Sequence, residues 1–328
     1  MKAFVHERDA LIVKEMEEPI PKANEVLVKL KAAGLNRRDL YISQRRKGVE
    51  SPLILGSDGA GVIEKVGEEV QGVQVGDEVI VNPSLGWFDN SDAPPAGYEI
   101  LGMPDHGTFA EKIAIDYRQV EKKPAHLSWQ EAGVLTLSGL TAYRALFTKG
   151  QMKAGETVFI PGAGSGVATF LVAFAKNIGA KVIVTSRSRE KLEQAKSLGA
   201  DILLHNENDW KEALKSETVD LVIDSIGRAT FQRSLDVLKK GGRMVVFGAT
   251  TEDTVTINLR EFFYGQYQLF GSTMGSRQEL AAMLAHVEQY QLHPVVDKTF
   301  SLQAMPEALD YLKDNHQFGK IAIDLSIL

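Results

Sequence analysis

The stretch Phe159-Ile-Pro-Gly-Ala-Gly-Ser-Gly-Val-Ala168 sets glycines at 162, 164 and 166 directly after a β-branched, apolar run and before a helical pattern. A strand that turns tightly into a helix lets peptide N–H groups approach a pyrophosphate with no side chain between, and this is where glycine is needed. The literal G-x-G-x-x-G is absent, because position 167 is Val; Ala168 stands as the small residue where helix and strand pack. By itself such a turn is weak evidence for a nucleotide, since a glycine-rich strand-to-helix turn can be purely structural.

The following residues extend the pattern. Val167, Leu171, Val172, Phe174, Ala175 and Ile178 form one apolar stripe, and Gly179-Ala180 hands over to a second apolar run, giving a βαβ unit of the expected length. We place strands at Thr157 to Pro161, Lys181 to Thr185, Val219 to Asp224 and Arg243 to Gly248, with helices at Val167 to Gly179 and Glu190 to Gly199. Strands alternating with helices of about 10 to 15 residues predict a doubly wound parallel sheet, an α/β domain. The end of the second strand selects the nucleotide, since an acid there accepts from a free ribose 2′-OH and repels a 2′-phosphate. Here it reads Thr185-Ser-Arg-Ser-Arg-Glu-Lys191, with no acid at the strand end. Arg187 and Lys191, aided by Ser186, suit a 2′-phosphate through charge-assisted hydrogen bonds, and NADPH is the expected cofactor. A solvated basic helix start, with Lys191 pairing to Glu190 or Glu193, is the structural alternative.

Upstream, from Met1 to about Ala125, short β-branched runs such as Val26-Leu-Val-Lys-Leu30, Gly61-Val-Ile-Glu-Lys-Val66 and Glu78-Val-Ile-Val81 are separated by turn signals, the pattern of a barrel or sandwich. The irregular segment Pro83 to Asp105 is too long for an ordinary connector and predicts a lobe or lid. At 328 residues the chain is long enough for two domains. A net charge of −6 argues against nucleic-acid partners and for a small-molecule substrate. The chain has no cysteine, which removes disulfides, thiolate nucleophiles and the common structural zinc sites. The charged start Met1-Lys-Ala-Phe-Val-His-Glu-Arg and the lack of any window approaching roughly 20 apolar residues predict a cytoplasmic protein without a membrane span.

Taken together, Ala32-Ala-Gly-Leu-Asn-Arg-Arg-Asp39, Leu55-Gly-Ser-Asp-Gly-Ala-Gly61, Val75-Gly-Asp-Glu-Val79, Gly107-Thr-Phe-Ala-Glu111, Gly139-Leu-Thr-Ala-Tyr143, the glycine loop, Leu198-Gly-Ala-Asp201 and Leu238 to Gly248 resemble the medium-chain dehydrogenase/reductase superfamily. Within it the chain resembles the zinc-lacking, quinone-oxidoreductase-like branch. The resemblance implies a GroES-like β-barrel catalytic domain over 1–125, a Rossmann NADP-binding domain over 126–295, and a return to the catalytic domain over 296–328. It also implies a homodimer or homotetramer, for which Glu261 to Phe270 is the expected region; a buried edge strand is the alternative there.

The departures from the family define the expected chemistry. Asn36 stands where zinc alcohol dehydrogenases carry a first-ligand Cys, Ser57 and Asp58 where they carry His and Glu, and the third ligand is replaced within Leu137 to Thr141. No metal is therefore expected, and a lone Asp58 reads as part of a glycine-rich strand turn. Without a Lewis acid, donors must stabilise developing oxyanion charge. Asn36 is the first candidate, with Asp39 to orient it or a water and Tyr41 as a second donor. The resemblance places Thr141 beside the nicotinamide. Together with Gly162, Gly164, Ser165, Gly166 and Val167, further cofactor contacts are expected from Ser225, Ile226, Phe247, Gly248, Gly271 and Ser272 at the carboxyl edge of the sheet. The expected activity is zinc-independent, NADPH-dependent reduction of quinones, α,β-unsaturated carbonyls or related reactive carbonyls. The alternatives are an enoyl-thioester reductase, for which Arg37, Arg38, Arg45, Arg46 and Lys47 could serve coenzyme A although a solvated charged loop is the favoured reading of that cluster, and an NADPH-binding structural or redox-sensing module with little turnover.

Overall fold

The computed structural model describes residues 1–326 and divides into two compact units, Met1–Leu140 with Gly275–Leu328, and Thr141–Met274. The first unit thus reaches further into the chain than the expected boundaries. Residues 126–140 and 275–295, assigned above to the nucleotide-binding domain, belong to the barrel unit. One reason is visible at Gly133 in helix Trp129–Gly133: a Cβ there would lie 2.8 Å from Ala32 Cβ, so this helix is seated directly on a barrel strand.

The main sheet of the first unit runs, edge to edge, Val120–Lys122, Glu78–Val81, Asp58–Val66, Glu25–Leu35, Lys320–Asp324 and Val296–Ser301, with Lys112–Asp116 also pairing to Glu25–Leu35. Alternating apolar residues of these strands, among them Val26, Val28, Leu30 and Ile323, form a fully buried core with Phe4 and Phe109. The register decides where chemistry can gather. Gly34 pairs with Asp58 on one side of the central strand, and Leu35 pairs with Ile321 on the other. Asn36 follows immediately, so the end of the central strand is flanked by the starts of two antiparallel neighbours. Gly34 is required there, since a Cβ would meet Gly133 O at 2.8 Å and Asp58 Cβ at 3.1 Å.

The second unit is built on six parallel strands in the order Ile202–His205, Lys181–Ser186, Thr157–Pro161, Val219–Asp224, Leu238–Val246, Gln268–Gly271. In chain order this is 3-2-1-4-5-6, the dinucleotide-binding arrangement. The expected strands 157 to 161 and 219 to 224 match to the residue. The fifth differs: it begins at Leu238, because a bulge around the Gly241-Gly242 pair lets the ladder resume at Leu221 and Arg243 instead of ending in a turn. Glu261 to Phe270 is neither one strand nor one helix; helix Leu259–Gly265 leads into edge strand Gln268–Gly271. Among the described residues no helix is long and apolar enough to cross a membrane.

Candidate functional site

In the second unit the predicted glycine loop has the geometry of an anion cradle. Gly162 has φ +84°, and a Cβ there would meet Ile226 Cδ1 at 3.0 Å. At Gly164 a Cβ would meet Lys191 Cδ at 2.7 Å, so the lysine stem lies across the loop. Ser165 caps helix Gly166–Asn177, its Oγ accepting from Ala168 N at 3.1 Å. The peptide N–H groups of Gly164, Ser165, Gly166 and Val167 donate to no other described residue. Four unpaired donors at the start of a 12-residue helix, beside glycines that a side chain would obstruct, fit the phosphates of a dinucleotide.

At the end of the second strand Ser186 Oγ accepts from Ser188 N at 3.1 Å, and the Arg187 carbonyl accepts from His205 Nε2 at 2.8 Å. This fixes the turn while the exposed Arg187 guanidinium bonds to no other described residue. Ser225, Ile226, Phe247 and Gly248 are brought together at the ends of neighbouring strands. Phe247 N donates to Asp224 O at 3.2 Å, Thr250 N to Ser225 O at 3.3 Å, and a Cβ on Gly248 would meet Ser225 O at 3.3 Å. The organiser of this turn went unnoticed in the sequence: buried Asp224 accepts from Ile226 N at 2.7 Å, Gly227 N at 3.1 Å and Ser234 Oγ at 3.0 Å. A second acid closing the strand Val219–Asp224 is its only signal in the sequence. Past Gly271 on the edge strand, Ser272 Oγ is buried without a partner among the described residues. Thr141 is buried on helix Thr136–Tyr143.

The first unit holds a second cluster, where the register converges. Asp58, fully buried, accepts from Thr136 Oγ1 at 2.8 Å and Leu137 N at 2.6 Å through Oδ1, and from Asn36 Nδ2 at 3.0 Å and Lys320 Nζ at 3.2 Å through Oδ2. Lys320 also donates to Asn36 Oδ1 at 2.6 Å and Leu35 O at 2.9 Å. Asp58 is therefore the centre of a buried ion pair and not merely a residue of a glycine-rich turn. Asp39 meets Asn36 through the backbone, Asn36 N donating to Asp39 Oδ2 at 2.8 Å, while the Asn36 side chain is held by Asp58 and Lys320. Asp39 Oδ1 is buried and unpartnered among the described residues. Burial pushes the Asp39 carboxyl up to about 6, against the pull of the Asn36 hydrogen bond and of Arg38 and Lys320. Tyr41, on helix Asp39–Arg45, is exposed and stands outside this network.

The expected basic cluster is divided. Arg45 and Lys47 are exposed, whereas Arg38 is half-buried and donates from Nη1 to Ser57 Oγ at 2.7 Å and Leu101 O at 2.8 Å. The 83–105 lobe contains a two-stranded sheet, Ser84–Leu85 with Glu99–Ile100. It is anchored by Ser84 Oγ to Gly275 O, Arg277 N to Trp87 O at 2.7 Å, and Ser276 Oγ to Asn90 Oδ1 at 2.6 Å. Among the described residues no group of three or more His, Cys, Asp or Glu side chains could hold a metal ion.

Family models for an alcohol dehydrogenase GroES-like domain and for a zinc-binding dehydrogenase match residues 22–125 and 166–289. The chain is 36% identical to a zinc-type alcohol dehydrogenase-like protein of Schizosaccharomyces pombe, covering 97% of this chain and 96% of the relative. It is 30% identical to an acryloyl-coenzyme A reductase of Sulfurisphaera tokodaii, covering 95% of each. A crystal structure of an NAD-dependent alcohol dehydrogenase superposes with a TM-score of 0.92 at 34% identity, over 99% of both chains. With the barrel, the 3-2-1-4-5-6 sheet and these likenesses spanning almost its whole length, the chain belongs to the medium-chain dehydrogenase/reductase superfamily of oxidoreductases.

Proposed function

We propose that the protein is an NADPH-dependent reductase of carbonyl-conjugated acceptors, α,β-unsaturated carbonyls and quinones, that works without a metal. The observation that carries this is the buried Asp58–Asn36–Lys320 cluster. Asn36 and Asp58 stand where the family resemblance sets metal-ligand positions, and the Lys320 ammonium bonds to Asn36 Oδ1 and Asp58 Oδ2, oxygens that a metal would need. A divalent cation there would have to displace Lys320 and would face its charge. Without a Lewis acid, the favoured substrates are those whose conjugation already spreads the incoming negative charge.

The glycine loop, Ser165 and the amides of Gly166 and Val167 suit the cofactor's pyrophosphate, and Arg187 with Ser186 and Lys191 suits a 2′-phosphate. Ser225, Ile226, Phe247, Gly248, Gly271, Ser272 and Thr141 are the groups we assign to the nicotinamide half. When bound, the reduced nicotinamide supplies the hydride. The chain's own part is to hold both reactants and to stabilise charge on the acceptor oxygen. A second reading, reduction of an enoyl thioester, is favoured by the likeness to an acryloyl-coenzyme A reductase; the same conjugated carbonyl is the reacting group. We also infer a homodimer or homotetramer formed through the second unit.

NADPH consumption measured across quinones, enones and enoyl-coenzyme A esters, with the saturated or hydroquinone product identified, tests the reading. Turnover on at least one of these classes is expected. Tight NADPH binding with no turnover on any of them would instead mark a binding module.

A further inference from the structure

Around the end of the central strand, nearly every side-chain proton is already committed. The Lys320 ammonium has three protons and three acceptors, Leu35 O, Asn36 Oδ1 and Asp58 Oδ2. The two amide protons of Asn36 face Gly34 O at 3.3 Å and Asp58 Oδ2 at 3.0 Å. The hydroxyls of Ser57 and Thr136 donate to Leu101 O and Asp58 Oδ1, each within 2.8 Å. Asn36, the first candidate donor on sequence grounds, has no proton left for a substrate.

Arg38 differs. Its Nη1 spends two protons on neutral acceptors, Ser57 Oγ and Leu101 O, while Nε and Nη2 donate to no other described residue and no carboxylate of a described residue lies within ion-pair distance. Burial pulls its pKa below the ordinary arginine value, and the attraction of Asp39 offsets this only in part. Its three remaining N–H groups, on Nε and Nη2, are outside the buried unpartnered atoms and so open to solvent, where a partly desolvated guanidinium can receive an oxyanion.

We propose that Arg38 binds the carbonyl oxygen of the substrate through Nε and Nη2, while Lys320 and Asn36 are positioning residues that hold the frame around it. This rests on the reductase reading above. Hydride adds to the β-carbon, the electrons of the C=C bond move to the carbonyl as an enolate, and a proton from water then completes the α-carbon. The guanidinium keeps its own protons throughout, so it stabilises the enolate oxygen without acting as the acid.

The test uses the full chain, wild type and Arg38→Met, with two readouts. One is NADPH-dependent reduction of 2-cyclohexenone. The other is capture of the acetylacetone enolate by NADP⁺-loaded protein, followed by its ultraviolet absorbance. For Arg38→Met we expect kcat to fall about 100-fold or more, with enolate capture lost and NADPH affinity little changed. Undiminished enolate capture, undiminished kcat, or a parallel loss of NADPH affinity and thermal stability overturns the assignment, as does a wild type that captures no enolate. If Arg38→Met does not fold by circular dichroism, Arg38→Lys decides. A folded Lys variant with capture weakened about tenfold supports bidentate binding, and unchanged capture contradicts it. Enolate capture by a wild type that turns over no conjugated acceptor removes the reductase reading and leaves Arg38 assigned. Turnover unaffected by Arg38→Met does the reverse.

Discussion

Lys320 Nζ lies 3.2 Å from Asp58 Oδ2, and both side chains are almost completely shielded from solvent. Such a pair is costly to bury, and its value lies in geometry: each partner also fixes Asn36, one from each side of its amide. Removing the ammonium leaves a carboxylate buried without its counter-ion. Lys320→Met is therefore expected to lower stability by about 3–5 kcal/mol in urea denaturation. A loss well under 1 kcal/mol would contradict the ion pair's role in holding this cluster.

Asp39 gives a pH signature. Its carboxyl is raised from 3.8 to about 6, chiefly by burial, so the folded chain binds this proton more tightly than the unfolded chain. Its contribution to stability is most favourable below about pH 4, declines as pH rises to about 6, and stays low above; two units correspond to roughly 3 kcal/mol. Asp39→Asn keeps an acceptor for Asn36 N without the charge. It is expected to stabilise the protein at pH 8 by up to about 3 kcal/mol and to make little difference near pH 4. Urea melts at the two pH values check this, and an equal effect at both would contradict it.

In the proposed reading cofactor choice turns on Arg187, whose carbonyl is held by His205 while its guanidinium has no partner among the described residues. Arg187→Ala should weaken NADPH binding about 10- to 100-fold and leave NADH binding unchanged, as read by fluorescence titration. The likeness to a structure described as an NAD-dependent alcohol dehydrogenase makes this a sharp test. Equal affinities for the two cofactors in the wild type would remove the 2′-phosphate assignment.

Leu259, Phe263 and Tyr264 are exposed beside edge strand Gln268–Gly271. Apolar exposure next to an open strand edge is the mark of a buried interface. Sedimentation velocity should find a dimer or tetramer for the wild type and a smaller species for Phe263→Asp. A monomeric wild type would refute the inferred association.

Much of this was legible in the chain. The glycine loop, the first and fourth strands of its sheet and the pairing of Asn36 with Asp39 follow from local patterns, because turn chemistry and short spacing act over a few residues. Lys320 and Arg38 were not legible. Lys320 reaches Asn36 across 284 residues, and at the head of an apolar strand it reads as a solvated end. Arg38 reads as one of five basic residues around a helix; only the fold separates it from Arg45 and Lys47, by burying it against Ser57 and Leu101. Asp58 is illegible for a related reason. A single carboxylate is a poor metal site, yet it is a good anchor once strand register brings an ammonium to it.

The central claim is metal-free reduction of a conjugated carbonyl, and turnover before and after metal removal tests it most directly. Protein treated with a strong chelator, and shown by elemental analysis to be free of zinc, should reduce 2-cyclohexenone or an enoyl thioester with NADPH at an unchanged rate, giving the saturated carbonyl. Loss of that activity on chelation, with recovery on adding zinc, would contradict the account.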